Sequence, residues 1–196
     1  MDGHLERRMT IENRIMQTAM ELFMKFGFKR VSIEEIADKA NVSKVTLYKY
    51  FTNKHTLVRK CFSEFFHTKA DEIKNHIDSN INFHQKLEYL MKSKIELVQS
   101  FSGEMMEELS SFDPEFMEEL MAIRRKTMIE MSSSIFEEGR KEGFISSKIS
   151  NESLIVFFDV IGMGIVKSPS FIEYSKRNPE AFDEIQSIAF SCINQS

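Results

Sequence analysis

Residues that interrupt helices are scarce in this chain, with seven glycines and three prolines among 196 residues. Glu, Lys, Met, Leu and Ile are abundant instead, and all of them are carried comfortably by helices. An all-α fold follows. Cysteine is scarcer still: Cys61 and Cys192 stand far apart, with no second cysteine near either to complete a metal or redox pair, which suits a reducing compartment. Long apolar runs are missing too. The longest, Leu154 to Val166, is interrupted by Asp159 and is too short to span a bilayer. Met1 to Met16 lacks the charged start, apolar stretch and small-residue cleavage site of a secretory signal, so a cytoplasmic protein without membrane contact is expected. Enzymatic patterns are likewise absent. His4, His55, His67, His76 and His84 form neither an H-E-x-x-H motif nor a pair four apart, and no glycine-rich loop offers to cradle a phosphate. The adjacent pairs Glu107-Glu108 and Glu118-Glu119 splay apart on a helix and read as solvated surface. No catalytic residue, cofactor or metal is expected; a metal site built from His67 or Glu104 is the weaker alternative.

What is present is a core-forming fraction of 42% hydrophobic residues, enough for one large domain or two small ones and too much for a disordered chain. Charge is distributed unevenly. The net value is -4, yet residues 1–60 carry 12 basic and seven acidic side chains, while the remainder is acidic. Between Lys39 and Lys60 lie six basic residues and no acidic one, a local footprint suited to a polyanion. Taken alone, such a run reads as a solvated basic face; the local fold signals decide otherwise.

Ile11, Ile15, Ala19, Leu22, Phe23 and Phe26 recur at steps of three and four, predicting an amphipathic helix from Thr10, as cap, to Phe26. Gly27 ends it. Ser32 and Glu35 form an S-x-x-E capping box that opens a second helix, with Ile33, Ile36, Ala37 and Ala40 facing inward. Asn41 tolerates a left-handed turn, Val42 plugs that turn, and Ser43 caps a short third helix containing Leu47 and Phe51. A small Ala37, a turn at Asn41 and a buried Leu47 have the spacing of a helix-turn-helix. The open face of the third helix keeps Lys44, Thr46, Lys49 and Tyr50, whose hydroxyl and ammonium donors suit phosphate oxygens.

The runs Phe23 to Phe28, Val31 to Ala37 and Val42 to Phe51, followed by Lys54, resemble the DNA-binding domain of the TetR (tetracycline repressor) family over about a quarter of the chain. Two residues depart from that pattern. Asn41 stands at the usual turn glycine, and Val45 stands where glycine is common, so Val45 can offer methyls to a thymine methyl where glycine would offer nothing. The resemblance implies DNA contacts by Ser32 and Ser43 at helix starts, by Lys44, Val45, Thr46 and Lys49 in the groove, and by Tyr48, Tyr50 and Lys54 at the backbone. Tyr48 reads equally well as a packing residue with a wet hydroxyl.

Beyond this domain, taken as residues 1–53, residues 54–196 read as a helical bundle for dimerisation and ligand binding. A helix from Lys54 to about Ile77 is broken by Ser79 and Asn80, and a second runs from Phe83 to Phe101. Asp113-Pro114-Glu115 starts a third that continues to about Arg140; Ser150 caps a fourth, and Asn178-Pro179-Glu180 starts the last. The segment from Ser150 to Val166 is apolar on nearly every side and demands cover all round, from its own core or from a second copy. The family resemblance implies a four-helix homodimer interface, here drawing on Leu154, Phe157, Phe158, Ile161, Gly162, Ile165, Ile185, Ile188 and Ala189. Phe101, Met105, Met117, Met121, Met128 and Met131 read either as ordinary core or as an adaptable apolar lining, and the resemblance favours a pocket for a small apolar ligand. The functional expectation is a repressor released from a near-palindromic operator in double-stranded DNA by such a ligand. The alternatives are a DNA-binding regulator or activator without one, and a helical metal- or lipid-binding protein, against which the acid-free basic stretch speaks.

Overall fold

The computed structural model describes residues 3–101 and 103–193, with backbone alone for residues 3–8, 98, 99, 103 and 166. Met1 and Asp2, where the leader reading begins, and the side chain of Val166, which closes the apolar run, lie outside the described residues. Among the described residues the chain is helical and has no strand. The helices are α1 (Gly3–Phe26), α2 (Ile33–Lys39), α3 (Lys44–Tyr50), α4 (Lys54–Ile77), α5 (Phe83–Ser100), α6 (Gly103–Phe112), α7 (Pro114–Lys141), α8 (Asn151–Lys167), α9 (Pro169–Arg177) and α10 (Ala181–Ile193). No single described helix is long and apolar enough to cross a membrane. Three elements differ from the sequence reading, the first being α6, which fills a stretch between Phe101 and Asp113 left unassigned. Helix α1 begins at Gly3 instead of Thr10, because the intervening Leu, Glu, Arg and Met residues favour helix and nothing before Thr10 stops it. Helix α9, capped by Ser168 with Pro169 at its first position, fills a stretch that the sequence reading left unassigned.

The chain divides into two compact units, one taking in the sequence as far as Lys69 together with Phe101–Ala122, the other Ala70–Ser100 with Ile123 onward. In the first unit, Ile15, Ala19 and Phe23 of α1 are fully buried with Ile36, Leu47, Leu57, Val58 and Phe62. Phe26, counted inward by its period, is exposed; the chain turns at Gly27 (φ 76°) and Phe28 takes the interior place. There the Phe28 ring meets Phe23 and Phe62 edge-on at 6.3 Å each and Phe112 at 5.1 Å, geometries that rings with negative faces and positive edges favour. Cys61 is buried beside them with its thiol directed at the Met16 carbonyl, 3.6 Å away, and burial pushes its pKa up to about 12. Cys192 is exposed.

The second unit is centred on Ile73, Ile77, Phe83, Leu87, Leu90, Ile135, Phe136, Leu154, Phe158, Ala189 and Ile193. Phe83 lies so close to Gly139 of α7 that a Cβ there would come within 2.4 Å of the ring, so α5 and α7 pack at a distance only glycine permits. Lys86 reaches Glu138 at 2.6 Å across the same pair of helices.

Asp113 joins α6 to α7 and is a buried charge among the described residues of the first unit. Its carboxylate accepts the Phe116 N–H at 3.0 Å, capping α7, and binds Arg59 Nη1 at 2.7 Å and His55 Nε2 at 2.8 Å. Arg59 also reaches Glu119 at 2.9 Å and lies over the Phe116 ring. Burial pushes the Asp113 carboxyl up, but the Phe116 N–H, Arg59 and His55 outweigh it and hold it below the ordinary aspartate value. A carboxyl with a depressed folded pKa stabilises the fold above the ordinary aspartate range and loses that contribution as pH falls through the folded value. Asp113→Asn, which keeps the cap acceptor and removes the charge, should therefore cost about 2–3 kcal/mol at pH 7 in urea unfolding. The gap to wild type should narrow on acidification, and a gap independent of pH would contradict the charge assignment.

Candidate nucleic-acid interface

Two seven-residue helices, α2 and α3, are too short to persist unaided, so caps and packing must hold them. Ser32 supplies the first cap: its hydroxyl accepts the Glu35 N–H at 3.2 Å while the Glu35 carboxylate receives the Ser32 N–H at 2.7 Å, completing the expected box. Those contacts hold Glu35 below the ordinary glutamate pKa. At the turn Asn41 adopts φ 52°, the left-handed region that asparagine tolerates, and the Val42 N–H returns to the Ala37 carbonyl at 2.9 Å. Ser43 then caps α3 by accepting the Thr46 N–H at 3.0 Å, and the Ser43 and Thr46 hydroxyls bond each other at 2.8 Å. Leu47 and Phe51 anchor α3 with essentially no exposure.

With Leu47 directed inward, Lys44, Val45, Tyr48 and Lys49 form the outward face, following the i, i+1, i+4, i+5 pattern of one helix side. Val45 is 68% exposed and Tyr48 43%, which places the Tyr48 ring at the surface. Thr46 and Tyr50 are half-buried at the flanks. The Lys44 ammonium pairs with Glu34 of α2 and lies over the Tyr48 ring at 5.9 Å. The hydrogen bond to Glu34 raises the lysine pKa, and the same contact lowers that of Glu34. Lys54 sits at the start of α4 and donates to the Lys29 carbonyl at 3.3 Å. Burial lowers its pKa against the pull of Glu108 and Glu35. Ser32, Ser43, Lys44, Val45, Thr46, Tyr48, Lys49, Tyr50 and Lys54 thus all belong to α2–α4 and their caps, within one unit.

Glu108 is a residue that sequence reasoning misplaced as plain solvated surface. Its carboxylate lies 3.2 Å from where a Gly27 Cβ would sit and accepts the Lys29 N–H at 3.5 Å, steadying the turn before α2. Of the residues read as a ligand lining, Phe101 and Met105 are buried and Met117 and Met121 half-buried in the first unit, where Phe101 stacks on Phe66 at 5.4 Å. Met131 lies in the core of the second unit, with Met128 packed against it. Of the residues read as a dimer face, Leu154, Phe158, Ile165 and Ala189 are buried within their own chain and Gly162 is covered. Phe157, Ile161 and Ile185 are half-buried, and Ile188 is exposed. No cluster of three or more His, Cys, Asp or Glu side chains suited to a metal occurs among the described residues.

The family model "Bacterial regulatory proteins, tetR family" matches residues 15–61, the segment that carries this capped turn and its outward face. Over those residues the chain is similar to the tetR family. YvkB of Bacillus subtilis, an uncharacterised HTH-type transcriptional regulator, is 43% identical over 51 residues, covering 26% of this chain and 27% of its own length. The chain therefore aligns with only about a quarter of that relative. YhgD of the same organism, similarly described, is 26% identical over 137 residues, covering 67% of this chain and 70% of its own. Among solved structures, a transcriptional regulator FadR from Bacillus subtilis in complex with stearoyl-CoA has the same fold, with a TM-score of 0.58 and 14% identity over 93% of this chain and 97% of that one.

In the tetR-type head described here, the left-handed turn sets where α3 emerges. Asn41→Gly should leave thermal stability close to wild type. Asn41→Val, which forces a branched side chain into φ 52°, should cost about 1–2 kcal/mol in equilibrium unfolding. Equal stability of the two variants would show that the turn relaxes away from this geometry.

Proposed function

We propose that this chain is a sequence-specific DNA-binding transcriptional regulator of the cytoplasm, acting as a homodimeric repressor on a near-palindromic operator. The observation that carries the reading is the outward face of α3, where Lys44, Val45, Tyr48 and Lys49 stand in a stretch free of acidic residues and are fixed from behind by buried Leu47. Residues 1–53 are taken as the DNA-reading domain and residues 54–196 as the dimerisation and ligand-binding domain. Two such heads in a symmetric dimer read half-sites about 34–36 Å apart, one turn of DNA. Selection from a randomised duplex pool should enrich a palindrome, and Lys49→Ala should weaken binding to it evenly across sequence variants while reducing the salt slope by about one. Unchanged affinity and slope would remove Lys49 from the interface.

The dimer reading rests on apolar side chains that the single chain leaves uncovered. Val156, Val160 and Met163 of α8 are more than half exposed at i, i+4 and i+7, and Ile188 of α10 is 60% exposed. Phe158, by contrast, serves the chain's own core. Val160→Glu should yield a folded monomer by sedimentation at micromolar concentration, whereas Phe158→Glu should lose helical signal. A Val160→Glu protein that stays dimeric would place the interface elsewhere.

Release by a small apolar or amphipathic ligand completes the proposal, with Phe101, Met105, Met117 and Met121 as the lining of adaptable side chains. FadR from Bacillus subtilis, which shares the fold, was crystallised with stearoyl-CoA, a molecule of that class. A ligand acts only through its preference for one conformation. Met121→Trp should therefore leave operator affinity intact while abolishing release by long-chain acyl compounds. If no such compound raises the thermal stability or operator off-rate of the wild type, the chain is a regulator without a ligand of this kind.

A further inference from the structure

The α3 face combines features that answer different parts of a DNA duplex. Lys44 and Lys49 are cations for phosphates or base acceptors, and the Tyr48 hydroxyl is a donor. Val45 can do neither. Among the described residues it is the most exposed large apolar side chain, and it stands between Lys44 and Lys49 on the same side of the helix. An isolated exposed aliphatic is ordinary on a protein surface, but this one occupies the second position of a helix that carries no acidic residue, in the middle of its polar outward face. Its two methyls sit on Cβ, and a β-branched side chain in a helix is confined almost to one rotamer. They therefore form a rigid apolar knob that loses little freedom on docking. Base-pair edges in the major groove offer one apolar group, the C5-methyl of thymine.

We propose that Val45 is a specificity-determining residue of the DNA-reading face: it packs on a thymine methyl and so demands T·A at one defined position of each half-site. The assignment rests on the DNA-reading function proposed above and adds what part of the sequence is read, and by which atoms. Lys44 and Lys49 position the helix without distinguishing thymine from uracil, since neither reads a methyl. On the outward face Val45 is the aliphatic side chain that can make that distinction. Because the side chain touches little of its own fold, its replacement leaves the packing of Leu47 and Phe51 untouched.

The test uses the full-length wild type, Val45→Ser and Val45→Ile, each first checked for wild-type thermal unfolding, in selections from one randomised duplex pool. Wild type and Val45→Ile should enrich a palindrome with a fixed thymine in each half-site, and Val45→Ser should enrich the same palindrome with that position relaxed. Duplexes of the selected sequence are then made with deoxyuridine at each thymine in turn, which deletes a methyl and leaves every hydrogen-bonding group in place. At the fixed position, wild type should lose about fourfold in affinity per half-site, the worth of one buried methyl group, and Val45→Ser should lose nothing. If wild type enriches no sequence, the DNA-reading function itself fails. If it enriches a palindrome but is indifferent to deoxyuridine everywhere, or if Val45→Ser shows the same loss at the same position, the function stands and the assignment to Val45 falls.

Discussion

Leu47 decides where the outward chemistry of this protein goes. A seven-residue helix in water forms too few hydrogen bonds to repay its nucleation, so α3 exists where its buried side holds it. Leu47 and Phe51 supply that hold, and their direction fixes the opposite direction for Lys44, Val45, Tyr48 and Lys49. Ile15, Ala19 and Phe23 of α1 and Ile36 of α2 are fully buried in the same unit. None of these apolar residues meets solvent, yet each sets the position of the ones that do.

Around this apolar anchor lies a second kind of restraint, directional instead of merely cohesive. Glu108 of α6 binds the turn after α1, and Asp113 binds the first turns of α4, immediately beyond the short helix. Hydrophobic contact resists separation but permits sliding; hydrogen bonds to a buried carboxylate fix orientation as well. Helix α4 thus leaves the head along a line set by charge, with His55 and Arg59 gripping one oxygen from successive turns.

Local features of the fold were legible because their causes are local. The Ser32–Glu35 box, the Asn41 turn, the Ser43 and Ser150 caps and the start of α7 at Pro114 each depend on residues within four positions of one another, and the structure contains all of them. What the sequence hid is long-range. Arg59 and Asp113 lie 54 positions apart and Lys29 and Glu108 lie 79, so no spacing rule joins them. Helix α8 resisted for a different reason: when nearly every position is apolar, periodicity cannot separate Leu154 and Phe158, which face the chain's own core, from Val156 and Val160, which do not. Phe26 shows the same limit at a helix end, where the turn at Gly27 hands the interior place to Phe28.

The contrast between the two cysteines gives the molecule a built-in reporter. Cys61 is walled off, and with its pKa near 12 almost none of it is thiolate at neutral pH, so electrophiles pass it by. Cys192 is open to solvent on α10, four residues after Ile188 and one turn along the same helix. A maleimide or nitroxide added to the unaltered chain therefore marks one place, with no cysteine-free background to engineer first. The rate of that labelling measures how crowded α10 is, and a spin label seated there carries a distance to any second copy that comes alongside.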